Sequence, residues 1–252
     1  MNDETRLEEL RWAVHGVKAP FSSAGNFVPD KPLALVFRDN SRFTVERAVN
    51  GNEQVKTLQP LLDRCQPATF GDKRRTRFDR TVRDAVQLKA GDGGFSVEHF
   101  DPETAGILDE IRRRMLPHDS SPIIAELYAL NVYTLGGHFS PHKDTPRGPD
   151  MFGTLVVCLP SQFWRGEFVL THRGVVQRFD WGQAIATQPE ANQLHWVAFF
   201  GDVDHQVERV GVGTRVTVTY LLRRDAEFEP SPAIADEDLA PTVLEAWHAL
   251  LA

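Results

Sequence analysis

Of the 252 residues, the stretch best equipped for chemistry is Tyr133-Thr-Leu-Gly-Gly-His-Phe-Ser-Pro-His142-Lys-Asp144. It sets a histidine and an aspartate two positions apart. In an extended segment, residues i and i+2 project from the same face. His142 and Asp144 can therefore offer an imidazole nitrogen and a carboxylate oxygen to one cation. A second histidine from elsewhere in the chain would complete a facial set of ligands. The opposite coordination positions would then be open to reactants, the arrangement that suits iron(II).

The short motif carries little weight alone, since about one such triplet is expected by chance in a chain with this many histidines and aspartates. A second copy, His99-Phe-Asp101, has a plain explanation: Asp101 is placed to cap a helix with Pro102 at its first position. The partner histidine has four candidates, His138, His172, His195 and His205. His205 follows a Gly201-Asp202 turn and opens a strand from which it can point back across a barrel. His195 begins the aromatic strand Trp196-Val-Ala-Phe-Phe200 and reads as structural.

Ten residues beyond His205 stands Arg215, in Thr214-Arg-Val-Thr-Val-Thr-Tyr220. Alternation puts Arg215, Thr217 and Thr219 on one face of that strand. An arginine within an apolar strand needs a partner, because an unpaired buried charge is costly. A dicarboxylic ligand meets the need, since guanidinium grips carboxylate in a two-pronged fork. A structural Glu or Asp would meet it as well.

The elements that must position these groups follow from pattern. Apolar content of 41% with 25% charged residues is that of a globular chain with ample core material. A net charge of −7 speaks against a general nucleic-acid binder. Two cysteines, Cys65 and Cys158, make no disulfide framework and are expected to be inert. No run is apolar for the roughly 18 residues a membrane span needs, and the first twenty residues lack a signal-peptide core. The expected compartment is cytoplasmic, with no membrane partner.

In chain order, the pattern predicts a helix over 4–15 and a Gly/Pro/Ser loop to about Pro32. A hairpin of 33–37 and 42–47 follows, then a helix near 52–64, a basic loop at 71–77, and a helix from Asp101 to Met115. From about 122 the texture changes to eight short strands: 125–133, 138–144, 152–160, 166–172, 175–180, 194–200, 203–210 and 214–223. That succession predicts a mainly β fold with flanking helices and a sandwich or jelly-roll core. One structural domain is expected: a mixed α/β region over 1–121, the β core over 122–224, and a linker with a terminal helix over 225–252.

Tyr133-x-x-Gly136-Gly137-His138-Phe139-x-Pro141-His142-x-Asp144, with His205 and then Arg215, resembles the prolyl-4-hydroxylase-like branch of the 2-oxoglutarate- and iron(II)-dependent oxygenases. Leu130-Asn-Val-Tyr133, His142-Lys-Asp-Thr-Pro-Arg147 and the upstream Cys65-Gln-Pro-Ala-Thr-Phe-Gly71 are similar to a group of microbial members, which brings no substrate with it. The resemblance implies a double-stranded β-helix (a cupin-like jelly roll), with Fe(II) held by His142, Asp144 and His205. It implies 2-oxoglutarate and O₂ as co-substrates, with ascorbate as a candidate reductant. Arg215 would meet the far carboxylate, with Thr217, Tyr133 and Asn131 on the same wall. Prolyl hydroxylases usually carry lysine at the position of Arg215, which weakens any transfer of prolyl specificity.

The implied activity is a dioxygenase hydroxylating a peptidyl side chain, an amino acid or a small metabolite, with release of succinate and CO₂. The rival is a non-catalytic cupin-like metal- or ligand-binding module, although the chain has no H-x-H pair. Thr145 and Arg147 either line the substrate mouth or form a solvated turn. Trp164 and Arg165 either close over the site or cover the barrel end. The basic run 73–77 either grips phosphate or an acidic substrate or, as the net acidic chain favours, is a solvated loop.

Overall fold

A computed structural model describes residues 20–46, 51–72, 75–91, 94–117, 119, 121–188 and 190–225. The helices expected at 4–15 and 240–251 lie outside these residues. The chain enters through β1 (Ser22–Phe27), followed by the paired strands β2 (Ala34–Phe37) and β3 (Arg42–Thr44) and helix α1 (Gly51–Leu62). Short strands come next: β4 (Gln66–Pro67), β5 (Phe70–Asp72), β6 (Arg75–Arg77), β7 (Arg83–Asp84), β8 (Val86–Lys89) and β9 (Phe95–Glu98). Helix α2 (Ile107–Met115) leads into the β-rich part.

That part runs β10 (Ile123–Tyr133), β11 (His138–His142), β12 (Met151–Cys158), β13 (Phe163–Arg165), β14 (Phe168–His172) and β15 (Val175–Phe179). Helix α3 (Trp181–Thr187) intervenes before β16 (Leu194–Phe200), β17 (Asp204–Val207), β18 (Val210–Gly213) and β19 (Arg215–Arg224). The strands form a seven-stranded sheet, β1-β16-β12-β19-β10-β8-β4, and a five-stranded sheet, β15-β14-β17-β11-β7. This is the jelly-roll core that the strand pattern predicted. Strands from both sides of residue 122 share each sheet.

Alternation along the large sheet sorts its side chains into two cores. Leu130, Val132, Leu155, Val157, Trp196, Val216 and Val218 face away from the barrel. There they pack with Leu58 and Leu61 of α1 and with Ile107, Ile111 and Met115 of α2. Tyr133, Val156, Cys158, Val197 and Phe199 face inward, against Phe139, Phe168, Leu170 and Val207 of the small sheet. Because both faces are covered, runs such as Leu155-Val-Val-Cys158 are continuously apolar rather than alternating.

Three expectations need correction. The loop expected before Pro32 contains β1, which pairs with β16 from Ser22↔Phe199 to Phe27↔Leu194. Its small polar residues hide a strand because it lies against bulky aromatics: a Cβ on Gly25 would come within 3.0 Å of the Trp196 ring. The helix expected from Asp101 starts later. The Asp101 carboxylate accepts from Glu103 N and Thr104 N, but only a turn follows, and Gly106 at φ 71° breaks it before α2 begins. The basic loop is in its described residues a hairpin of β5 and β6, with Phe70 opposite Arg77.

Helix α3 had no sequence signal in a region read for strands. Asp180 caps it, accepting from Gln183 N at 3.0 Å. The helix sets Trp181 parallel to Phe168 inside the barrel, with ring centroids 5.8 Å apart.

Candidate metal centre

His142 and His205 are directly opposed across β11 and β17. A bulge makes this possible. Between Phe139↔Val207 and His142↔His205, β11 takes three steps while β17 takes two. The extra residue falls at Ser140-Pro141, where proline's missing N–H costs no ladder bond. The slip swings His142 inward with Phe139, and their rings stack with centroids 3.5 Å apart. Strict alternation would instead have put His142 in phase with His138.

Asp144 follows two residues after the strand ends. One ligand atom each from His142, Asp144 and His205 lies within 4.8 Å of the others, so the three could hold a single metal ion. His205 Nε2 stands 3.6 Å from Asp144 Oδ1. His142 Nδ1 lies 2.9 Å from the Ser140 carbonyl and His205 Nδ1 lies 3.2 Å from the Val203 carbonyl. A carbonyl can only accept, so Nδ1 carries the proton in both rings and Nε2 keeps the lone pair a metal needs. The Thr154 hydroxyl donates to Asp144 Oδ2, leaving Oδ1 toward the histidines. Burial, and secondly the neighbouring His205, push the His142 pKa down to about 2, so its imidazole is neutral at ordinary pH.

The other histidines among the described residues are occupied elsewhere. His138 has a ring nitrogen on each of the Gly136 and Thr81 carbonyls. His195 meets Gln188 Oε1 at 2.9 Å, as befits a structural residue, and His172 packs on Phe21. His99 is turned to the Pro32 carbonyl, so the second His-x-Asp triplet has no part in the site.

An inner cavity of about 100 Å³ reaches from His142, Asp144 and His205 to Arg215. Arg215 is 1% exposed, and its Nε and Nη2 have no hydrogen-bond partner among the described residues. It stands opposite Tyr133 in the register and is ringed by aromatics: the Tyr133, Trp181 and Phe168 centroids lie 5.4, 5.2 and 5.8 Å from its Cζ. Burial pulls its pKa below the usual guanidinium range. Thr217 and Thr219 line the same cavity, as alternation predicted, and Tyr133 lines it with them. Asn131 lines it too, but its amide is engaged: Oδ1 accepts from Arg83 at 2.7 Å and Nδ2 donates to Thr219 at 3.0 Å. Through these two bonds it braces the wall.

A wider outer cavity of about 570 Å³ continues outward, sharing Arg83, Gln87, Tyr128, His142 and Asp144 with the inner one. Thr145 and Arg147 line this mouth. Trp164 and Arg165 line neither cavity; they sit in β13, paired with β18. Cys65 and Cys158 are buried thiols whose pKa values are pushed up to about 12, which makes both inert. Sequence reasoning missed Arg83, Gln87, Tyr128 and Thr154. Thr154 alone left a trace, as a polar residue on an otherwise apolar strand.

The donor set fits iron(II): two neutral imidazoles and one carboxylate, beside a buried guanidinium free to receive a carboxylate. Residues 128–223 match the model of the 2OG-Fe(II) oxygenase superfamily. That match supports an enzyme of the 2-oxoglutarate-dependent dioxygenase class, for which Fe(II), 2-oxoglutarate and O₂ are the implied cofactors. No curated protein matches the sequence.

Similar solved structures include a Pseudomonas putida prolyl-4-hydroxylase, at 18% identity over 69% of this chain and 85% of that one, with a TM-score of 0.43. A Burkholderia pseudomallei oxidoreductase of the 2OG-Fe(II) oxygenase family is similar at 17% identity over 69% and 80%, TM-score 0.39. A Trichoplax adhaerens prolyl hydroxylase, solved with a hypoxia inducible factor oxygen degradation domain peptide fragment, is similar at 14% identity over 86% and 89%, TM-score 0.45. Among the described residues, no helix is long and apolar enough to cross a membrane.

Proposed function

We propose that His142, Asp144 and His205 hold iron(II), and that Arg215 anchors the far carboxylate of 2-oxoglutarate with hydroxyl help from Thr217 and Tyr133. The observation that carries this reading is the unpaired Arg215 in the cavity the three ligands open onto. A guanidinium stripped of water and given no counter-charge is costly, and a bound dicarboxylate removes that cost.

Bound at these residues, the metal supplies O₂ activation, and the net reaction takes 2-oxoglutarate, O₂ and a substrate C–H to succinate, CO₂ and the hydroxylated product. The chain's own part is positional. The Ser140 and Val203 carbonyls fix both imidazoles, Thr154 orients Asp144, and Phe168, Phe199 and Val207 keep water from the inner cavity. The substrate enters through the outer cavity and is a peptidyl side chain, an amino acid or a small metabolite. Arginine in place of the usual lysine at position 215 serves the co-substrate equally well and leaves prolyl specificity unsupported.

Anaerobic addition of Fe(II) and 2-oxoglutarate to the protein is expected to give a weak visible charge-transfer band. A folded protein that binds both without that band, and releases no succinate in air, would overturn the reading.

A further inference from the structure

The outer cavity has a strongly one-signed wall. Arg83, Lys89, Lys143 and Arg147 line it, and the one carboxylate among its described lining residues is Asp144, already committed to the metal site. Lys143 has a counter-charge in Asp204 at 3.8 Å. The other three have none among the described residues.

Arg83 is the informative member. It is only 9% exposed, yet all its contacts are neutral. Nη1 donates to the Thr69 carbonyl at 2.6 Å, Nη2 to Asn131 Oδ1 at 2.7 Å, and the guanidinium lies 4.5 Å from the Phe139 ring centroid. Its Nε is buried without a partner. A cation held this deeply without a carboxylate is destabilising unless an anion arrives from outside the chain.

Arg147 lies on the same wall over a residue that a second bulge exposes. Between Leu127 and Ala129 the register of β10 against β19 slips, so Tyr128 is the extra residue. Its ring lines both cavities and lies 4.8 Å below the Arg147 Cζ. The nearby acid Glu126 is taken by Arg223. The guanidinium of Arg147 and the ammonium of Lys89 therefore face the cavity with their charge unspent.

We infer that the primary substrate is a small molecule bearing an oxyanion group, carboxylate or phosphate, which Arg83 receives with Lys89 and Arg147 while its C–H bond faces the metal centre. This deepens the function proposed above and rests on it. Arg215 and Arg83 divide the work: the first takes the co-substrate's anion in the inner cavity, the second the substrate's anion in the outer one. Guanidinium forks suit either oxyanion, so the chemistry of the site leaves both sources open to trial.

The test uses the full chain loaded with Zn(II) and saturating 2-oxoglutarate, so that nothing turns over. Calorimetry and thermal melting follow a panel of small carboxylates (succinate, glutarate, malate), phosphate monoesters (ethyl phosphate, glycerol phosphate) and their uncharged diamides or parent alcohols. Members of one anionic set should bind and the neutral counterparts should not, and the set that binds identifies the source. Arg83→Gln should weaken that binding at least tenfold while lowering 2-oxoglutarate affinity far less than Arg215→Ala does. Should Arg83→Gln misfold, the exposed Lys89→Gln and Arg147→Gln should each weaken it several-fold. The inference is overturned if neutral and anionic members bind alike, if no anion of the panel binds, or if the variants lower 2-oxoglutarate affinity as much as Arg215→Ala does. Failure of 2-oxoglutarate to bind the wild type, read separately, would sink the co-substrate assignment instead.

Discussion

His142 and His205 face each other as a directly opposed pair across β11 and β17, each with its Nδ1 against a backbone carbonyl two residues earlier. The sheet ladder thus sets both the spacing of the two imidazoles and the nitrogen each one offers. Asp144 approaches from the loop beyond and is steadied by Thr154.

Replacement of a ligand should remove metal binding and spare the fold. For His142→Ala and Asp144→Ala, Fe(II) titration is expected to show at least a hundredfold weaker binding, with succinate release abolished and far-ultraviolet circular dichroism nearly unchanged. Collapse of the dichroism spectrum would mark these residues as structural.

Thr154 gives a subtler variant. Groups that orient a metal ligand typically change metal affinity by about 10–100-fold when lost. Thr154→Val should fall in that range, and Thr154→Ser, which keeps the hydroxyl, should restore most of the affinity. Equal binding by all three proteins would argue against an orienting hydroxyl.

Arg215 lends itself to a test with two opposite signs. Replacing an unpaired buried charge by an apolar group of similar length is often neutral or stabilising. Arg215→Met should therefore melt no lower than the ligand-free wild type. It should lose 2-oxoglutarate affinity by about a hundredfold, corresponding to the ~1.5–3 kcal/mol typical of a hydrogen bond to a charged group. Iron affinity should hold. Parallel loss of metal and co-substrate would instead mean that Arg215 supports the whole pocket.

Acid should weaken the metal-free fold through His142. Its pKa falls from an ordinary 6.5 to about 2 on folding, so below pH 6.5 the unfolded chain takes up a proton that the folded chain refuses. Stability is therefore intact above pH 6.5 and is lost as pH falls toward 2, at a slope of at most about 1.4 kcal/mol per pH unit for one proton. Urea midpoints between pH 7 and pH 4.5 should drop less for His142→Leu than for the wild type. Identical slopes would exclude His142 as a source of acid lability.

The β core was legible because a jelly roll writes itself as closely spaced apolar runs; the shared face of Arg215, Thr217 and Thr219 followed from alternation, and His205 stood out among four histidines by the turn before it and by the family resemblance. What stayed hidden depends on register and distance. Nothing local to Ser140-Pro141 or Tyr128 announces a bulge, yet those two slips decide which way His142 and Tyr128 point. Arg83 comes from a strand of two residues, too short to leave a pattern, and meets the site only through pairing with β11. β1 was concealed by its small residues, whose strand character comes from the aromatic partner strand.

The two histidines belong to the five-stranded sheet, whereas Arg215 and Thr154 belong to the seven-stranded one. Among the described residues no backbone ladder joins the two groups; packed side chains and side-chain hydrogen bonds such as Arg83 Nη2 to Asn131 Oδ1 keep them in range. The centre is therefore a gauge of how tightly the sandwich is shut. Conditions that let the layers breathe, such as low urea, should abolish co-substrate capture while each ladder, and the spectrum it produces, survives.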